Sequence, residues 1–222
     1  MLIIKEFNKT FKMTKQELEQ QELDRRFADE YDSIGDIHSG IAVVERDDTF
    51  GIINTKGDII VPLIYSYISE FRNKLAAAYI EEKGCFINNK GKQITPLIYD
   101  DIELDSHGEL YGPNFSSGLV KVRIDGKYGF VNTMGEQAIP VVYDSAATFT
   151  KGGLSIVSKG KKWGVINKEG DTVIDLIYDG ILEMSKKGYI IVMTNGVAEI
   201  IDYSGKILSN DELENRHKRK SK

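Results

Sequence analysis

The sequence predicts an all-β chain in which one unit of about 35 residues is repeated five times, with three to four short strands per unit and a helix in front. Three observations carry that prediction. Gly57, Gly91, Gly135, Gly170 and Gly205 recur at spacings of 34, 44, 35 and 35 residues. The segments leading to them repeat in phase, as Phe50-Gly51-Ile52-Ile53-Asn54, Tyr128-Gly129-Phe130-Val131-Asn132 and Trp163-Gly164-Val165-Ile166-Asn167. A second block follows each time: Pro62-Leu63-Ile64-Tyr65, Pro96-Leu97-Ile98-Tyr99, Pro140-Val141-Val142-Tyr143 and Asp175-Leu176-Ile177-Tyr178.

Residues 1–30 are expected to hold a strand around Leu2, Ile4 and Phe7 and a capping helix. Thr14-Lys15-Gln16-Glu17 is a capping box, which opens a helix to about Ala28 with Leu18, Leu23 and Phe27 as its apolar positions. The repeat domain spans 31–208. Each unit begins with a β-prone run such as Ile41 to Val44, Leu75 to Tyr79, Leu119 to Val122, Leu154 to Val157 or Tyr189 to Val192. Asp125-Gly126 and Lys159-Gly160 suit a hairpin turn into the aromatic-Gly strand. The Asn-x-x-Gly segment reads as a tight connection whose Gly takes positive φ. The Pro has no N–H, so its strand should lie at an edge or carry a bulge.

The rings of Phe50, Tyr128 and Trp163, and Tyr65, Tyr99, Tyr143 and Tyr178, are expected to pack against neighbouring units. Gly51, Gly129 and Gly164 would leave room for close backbone approach. The second and fifth copies, Gly84-Cys85-Phe86-Ile87-Asn88 and Ala198-Glu199-Ile200-Ile201-Asp202, lack the aromatic-Gly pair. An orphan Tyr31-Asp32-Ser33-Ile34 precedes the first unit, and the fifth has no Pro-x-x-Tyr block. The ends could therefore complete each other, which favours a propeller-like toroid over an open β-solenoid. Residues 209–222, with the basic run from Arg216 to Lys222, are expected to be a charged, disordered tail.

The run Lys161-Lys162-Trp163-Gly164-Val165-Ile166-Asn167-Lys168-Glu169-Gly170, followed by Ile177-Tyr178-Asp179, resembles the WG-repeat family, also called KWG repeats. Lys127-Tyr128-Gly129-Phe130-Val131-Asn132 is a second good copy. The resemblance implies a mostly bacterial β-repeat scaffold and brings no activity, cofactor or fixed ligand with it.

Composition is that of a soluble globular protein, with 41% apolar and 28% charged residues. A net charge of −5 gives no general affinity for nucleic acid and leaves the tail at 216–222 as the basic exception. The single cysteine, Cys85, excludes an internal disulfide and reads as a buried, inert thiol. With no basic leader and no apolar run of membrane-spanning length, a cytoplasmic location is expected. His38, His107 and His217 form no zinc-like spacing, and no nucleophile-elbow, phosphate-loop or dinucleotide motif occurs. Hence no catalytic residue, metal or cofactor is expected.

One departure from the period stands out, an insertion of about ten residues within 103–114. Insertions in repeat arrays map to loops, often on the binding face. Glu103, Asp105, His107, Glu109 and Tyr111 are therefore the candidate ligand-binding residues. Asp32, Asp100, Asp144 and Asp179 follow the repeated Tyr and read as turn residues. In a closed ring they could instead line a pore. The expected function is a non-enzymatic binding or scaffold protein that offers a repeated β surface to another protein or to a glycan. The alternative is a carbohydrate-active hydrolase with carboxylates in the pore or on the 103–114 loop.

Overall fold

The computed structural model describes residues 13–105 and 112–218. Helix α1 (Lys15–Phe27) opens the described chain, with Thr14 and Glu17 forming the capping box that the sequence predicts. Five antiparallel sheets follow, one per repeat. The first holds β1 (Ser33–Ile34), β2 (Ile41–Arg46), β3 (Thr49–Asn54) and β4 (Ile59–Tyr65). The second holds β5 (Tyr67–Ile68), β6 (Leu75–Ile80) and β7 (Lys83–Asn88). The third holds β8 (Asp101–Ile102), β9 (Leu119–Ile124), β10 (Lys127–Asn132) and β11 (Gln137–Tyr143). The fourth holds β12 (Ser145–Ala146), β13 (Leu154–Lys159), β14 (Lys162–Asn167) and β15 (Thr172–Tyr178). The fifth holds β16 (Gly180–Ser185), β17 (Tyr189–Thr194) and β18 (Val197–Asp202), and helix α2 (Asn210–Lys218) ends the described chain.

Within each sheet, neighbours in sequence are neighbours in space, so every unit is a meander. The Asn-x-x-Gly connection has a local cause. Asn54 Oδ1 accepts the N–H groups of Lys56 and Asp58, both at 2.9 Å, and Gly57 sits at φ 93°. Asn88, Asn132 and Asn167 repeat the arrangement, and Asp202 does so in the fifth unit. The β13–β14 hairpin pairs Lys159 with Lys162, so its two turn residues are Gly160 and Lys161, one position later than the sequence suggests. Both lie at positive φ, as a tight two-residue hairpin requires.

The aromatic-Gly pair and the Pro-x-x-Tyr block are two halves of one device. Phe50 pairs with Tyr65 but Ile52 pairs with Val61, so β4 bulges around Pro62 and Leu63 and drops onto Gly51. A Cβ on Gly51 would lie 2.8 Å from Val61 O and 2.9 Å from Leu63 Cγ. Gly129 and Gly164 are confined in the same way beneath β11 and β15. In the second unit Cys85 occupies the Gly position, and its Cβ forbids that approach. The third strand there is reduced to isolated pairings of Gly84 with Tyr99 and of Ile87 with Gln93. Tyr79, directly across from Gly84, lays its ring over it and fills the missing aromatic position.

Successive residues of a strand point to opposite faces, and in the middle strands both faces are buried. Phe130 packs toward the fourth unit with Ile139, Val157 and Ile166, while Val131 packs toward the second with Phe86, Tyr99 and Val122. Equivalent clusters fill the first seam around Ile52, Ala76 and Cys85 and the last around Val165, Ile174 and Ile190. No sheet closes on itself, and among the described residues no cluster joins the fifth sheet to the first. The free face of the first sheet, with Ala42, Val44 and Ile53, is covered by Leu23 and Phe27 of α1. Leu18 stays exposed on the outside of that helix.

The C-terminal segment corrects the sequence reading. Asn210–Lys218 is helical where a disordered tail is expected. The reason is a second capping box: Glu212 N–H donates to Ser209 Oγ, and Ser209 N–H donates to the Glu212 carboxylate. The expected strand in residues 1–11 lies outside the described residues.

Candidate functional site

Each seam after the first carries a polar clasp on one rim. Lys83 Nζ donates to Asp100 Oδ1 at 2.5 Å, Lys127 pairs with Asp144, and Lys162 Nζ meets Asp179 Oδ1 at 2.6 Å. The second carboxylate oxygen accepts a backbone N–H from the next unit's hairpin, Gly160 for Asp144 at 2.6 Å and Asn195 for Asp179 at 2.7 Å. Asp32 reaches its hairpin in the same way, accepting Asp47 N–H at 2.8 Å. The lysine hydrogen bond is the main reason that Asp100, Asp144 and Asp179 are held below the usual carboxylate range. Lys83 is correspondingly pushed up by Asp100. These lysines are the clasp residues that sequence reasoning missed. A signal was available: Lys and Asp stand 17 residues apart in three units, and the first unit loses both, to Thr49 and Ser66.

Beside the clasps run open grooves. One of about 1210 Å³ is lined by Val141, Val142, Lys159, Lys161, Trp163, the Lys127–Asp144 clasp and Asp179. A smaller one of about 530 Å³ lies at the Lys83–Asp100 clasp, with Tyr79, Glu82 and Arg123. Phe50 and Tyr128 pack against the interior clusters of their seams, as do Tyr65, Tyr99, Tyr143 and Tyr178. Trp163 instead forms part of a groove wall. The residue before each repeated Tyr is also left to solvent: Ile64, Ile98, Val142 and Ile177 are 56%, 39%, 39% and 59% exposed.

The insertion is anchored at its base. Leu104 bridges to Pro113, Asp105 N–H donates to Gly112 O at 2.9 Å, and Asn114 N–H donates to Glu103 O at 2.8 Å. Asp105 meets Arg72 of the second unit at 3.2 Å. Glu103 lies 3.4 Å from Lys121 and accepts the Thr148 hydroxyl of the fourth unit. Of the five candidate residues, Glu103 and Asp105 thus face in opposite directions along the array and tie units together. His107, Glu109 and Tyr111 lie outside the described residues.

Between the first and second units, His38 Nε2 stands 3.3 Å from Glu70 Oε2. Burial raises the Glu70 carboxyl, and the neighbouring His38 partly opposes this. Cys85 is fully buried, and burial pushes its thiol up to about 11. Among the described residues no group of three or more His, Cys, Asp and Glu could hold a metal ion. Among them, too, no helix is long and apolar enough to cross a membrane.

The WG containing repeat matches four times in tandem, over residues 50–83, 86–111, 128–163 and 163–197. The chain belongs to the WG-repeat family. The WG repeat thus matches from β3 of the first sheet through β17 of the fifth, with residues 112–127 and their strand β9 left out. No curated protein matches the chain. Among solved structures, Hsv2p of Kluyveromyces lactis is similar at 12% identity and a TM-score of 0.38, over 80% of this chain and 63% of that one. The Hsv2 of Kluyveromyces marxianus is similar at 11% identity and a TM-score of 0.30, over 74% and 73%. The dihydro-heme d1 dehydrogenase NirN in complex with DHE gives 11% identity and a TM-score of 0.33, over 80% and 46%. The chain therefore spans less than two thirds of the length of Hsv2p and about half that of NirN.

Proposed function

We propose that this WG-repeat chain is a non-enzymatic scaffold that binds another protein through its repeated β surface. The observation that carries the reading is the exposed apolar row Ile64, Ile98, Val142 and Ile177. Nearly every other recurring residue is absorbed by a turn, a bulge or an interior cluster. An apolar residue kept on the surface at one repeat position is not explained by the fold and suits a contact surface. The row recurs from unit to unit, and Val142 also lines the groove at Trp163, so several weak contacts could act together.

The 103–114 insertion is a second part of the proposed surface, with His107, Glu109 and Tyr111 as its candidate contact residues and a base tied to the second and fourth units. The hydrolase alternative has less support. A glycosidase needs one carboxyl raised to act as an acid, whereas Asp100, Asp144 and Asp179 are lowered and already accept a lysine.

The test is quantitative capture of binding partners by the full chain, by an Ile64→Ser, Val142→Ser, Ile177→Ser triple variant, and by a His107→Ala, Glu109→Ala, Tyr111→Ala variant. Loss of a reproducible partner in either variant, with an unchanged thermal midpoint, supports the proposal. Partners retained by both variants alike would overturn it.

A further inference from the structure

The hairpin tips along the clasp rim differ in charge, being acidic in the first three units, basic in the fourth and neutral in the fifth. They read Asp47-Asp48, Glu81-Glu82, Asp125-Gly126, Gly160-Lys161 and Asn195-Gly196. The fourth tip is the basic one, flanked by Lys159 and Lys162. It borders the groove of about 1210 Å³ described above. Asp144 and Asp179 in its lining are each already matched by a lysine, Lys127 and Lys162. Lys159 and Lys161 are exposed, and among the described residues neither has a carboxylate partner. The groove therefore carries two unbalanced positive charges beside an indole and an exposed valine, in a chain whose net charge is −5.

We infer that this groove takes an extended acidic segment of a partner protein, with an apolar side chain against Trp163 and Val142 and carboxylates toward Lys159 and Lys161. The inference rests on the binding-scaffold reading and names the chemistry of one of its contacts. Charge complementarity selects the occupant. A long polyanion such as nucleic acid, if it followed the rim, would run into Asp47, Asp48, Glu81 and Glu82. A neutral glycan would leave the two free ammonium groups unused. A short acidic peptide uses the lysines and the apolar wall together. The outer strand β11, which supplies Val141 and Val142, is a sheet edge along which an extended chain can lie.

Trp163 is the only tryptophan, so its fluorescence reports on this groove directly. The full chain is titrated with a short peptide alternating Glu and Leu, with the matching Lys and Leu peptide, and with a neutral cello-oligosaccharide. A saturable emission shift is expected with the acidic peptide alone. It should weaken by about tenfold or more in a Lys159→Glu, Lys161→Glu variant, and as salt shortens the screening length. Both lysines are exposed turn or strand-end residues, so that variant should keep its thermal midpoint. No shift, an equal response to the two peptides, a response to the oligosaccharide alone, or an unaltered affinity in the variant would each overturn the inference. Partner capture that depends on the apolar row or the insertion would then leave the scaffold reading standing, with only the groove's ligand rejected.

Discussion

Lys162 and Asp179 lie 17 residues apart in the chain and their side chains meet at 2.6 Å, while the other oxygen of Asp179 accepts Asn195 N–H. One carboxylate thus joins the aromatic-Gly strand of a unit to the hairpin of the next. The first unit has Thr49 and Ser66 at these two positions, so the first seam lacks the clasp. Introducing Thr49→Lys and Ser66→Asp together should stabilise the chain by roughly 0.2–1 kcal/mol, the range of exposed pairs, with positive coupling between the two changes. Urea unfolding of both single variants and the double variant measures it. Simple additivity would show that the clasp is not transferable.

The clasp also has a pH signature. A carboxylate with a lowered folded value contributes stability above its unfolded value, and loses it as pH falls through the folded one. For Asp179 and its equivalents that window lies below the ordinary value of 3.8. Lys83 is raised above 10.5, so its contribution is present below that value and fades as pH climbs through the folded one. Carbon-detected NMR titration should place the Asp179 carboxyl below an ordinary Asp. Lys162→Met should move it back up.

Gly164 is closed in by the bulged strand above it, with Ile174 O 2.5 Å and Leu176 Cγ 2.9 Å from where a Cβ would stand. Gly164→Ala should therefore cost about 1–3 kcal/mol through overpacking. The loss should appear first as faster amide exchange in β15, the strand that must lift. The second unit shows the outcome already, since Cys85 stands at this position and the third strand there is reduced to isolated bridges.

Leu23 is 2% exposed and seals the first sheet against Ala42, Val44 and Ile53. Leu23→Ala should cost about 2–5 kcal/mol, as for other buried Leu truncations. Leu18→Ala, on the exposed side of the same helix, should be close to neutral. Thermal denaturation of the two variants distinguishes a packed cap from a loosely attached helix.

The Cys85 thiol, buried and pushed up to about 11, should resist a thiol reagent at neutral pH in the folded chain. One equivalent should react after unfolding in urea. Rapid labelling of the folded chain would mean that the first seam opens.

Much of this molecule is written in its sequence because a repeat states the same requirement several times. The period, the strands, the turn glycines and the Thr14 capping box all depend on residues close together in the chain. The Ser209 box is just as local, but its four residues precede a basic run that reads as a tail. The Lys–Asp clasp was legible as a pair of positions kept or lost together, yet its 17-residue separation hides it from any local reading. Only the tertiary structure decided that α1 covers the free face of the first sheet, because sequence periodicity does not say which apolar faces meet. It also decided that Tyr79 crosses over to fill the place left by Gly84, and that Glu103 and Asp105 turn away from each other to bind separate units. Trp163, the residue that most clearly marks the repeat, looked like another core ring by its sequence position. Its place in a groove wall follows from how the third strand of one unit and the hairpin of the next stand apart, a distance that no sequence spacing records.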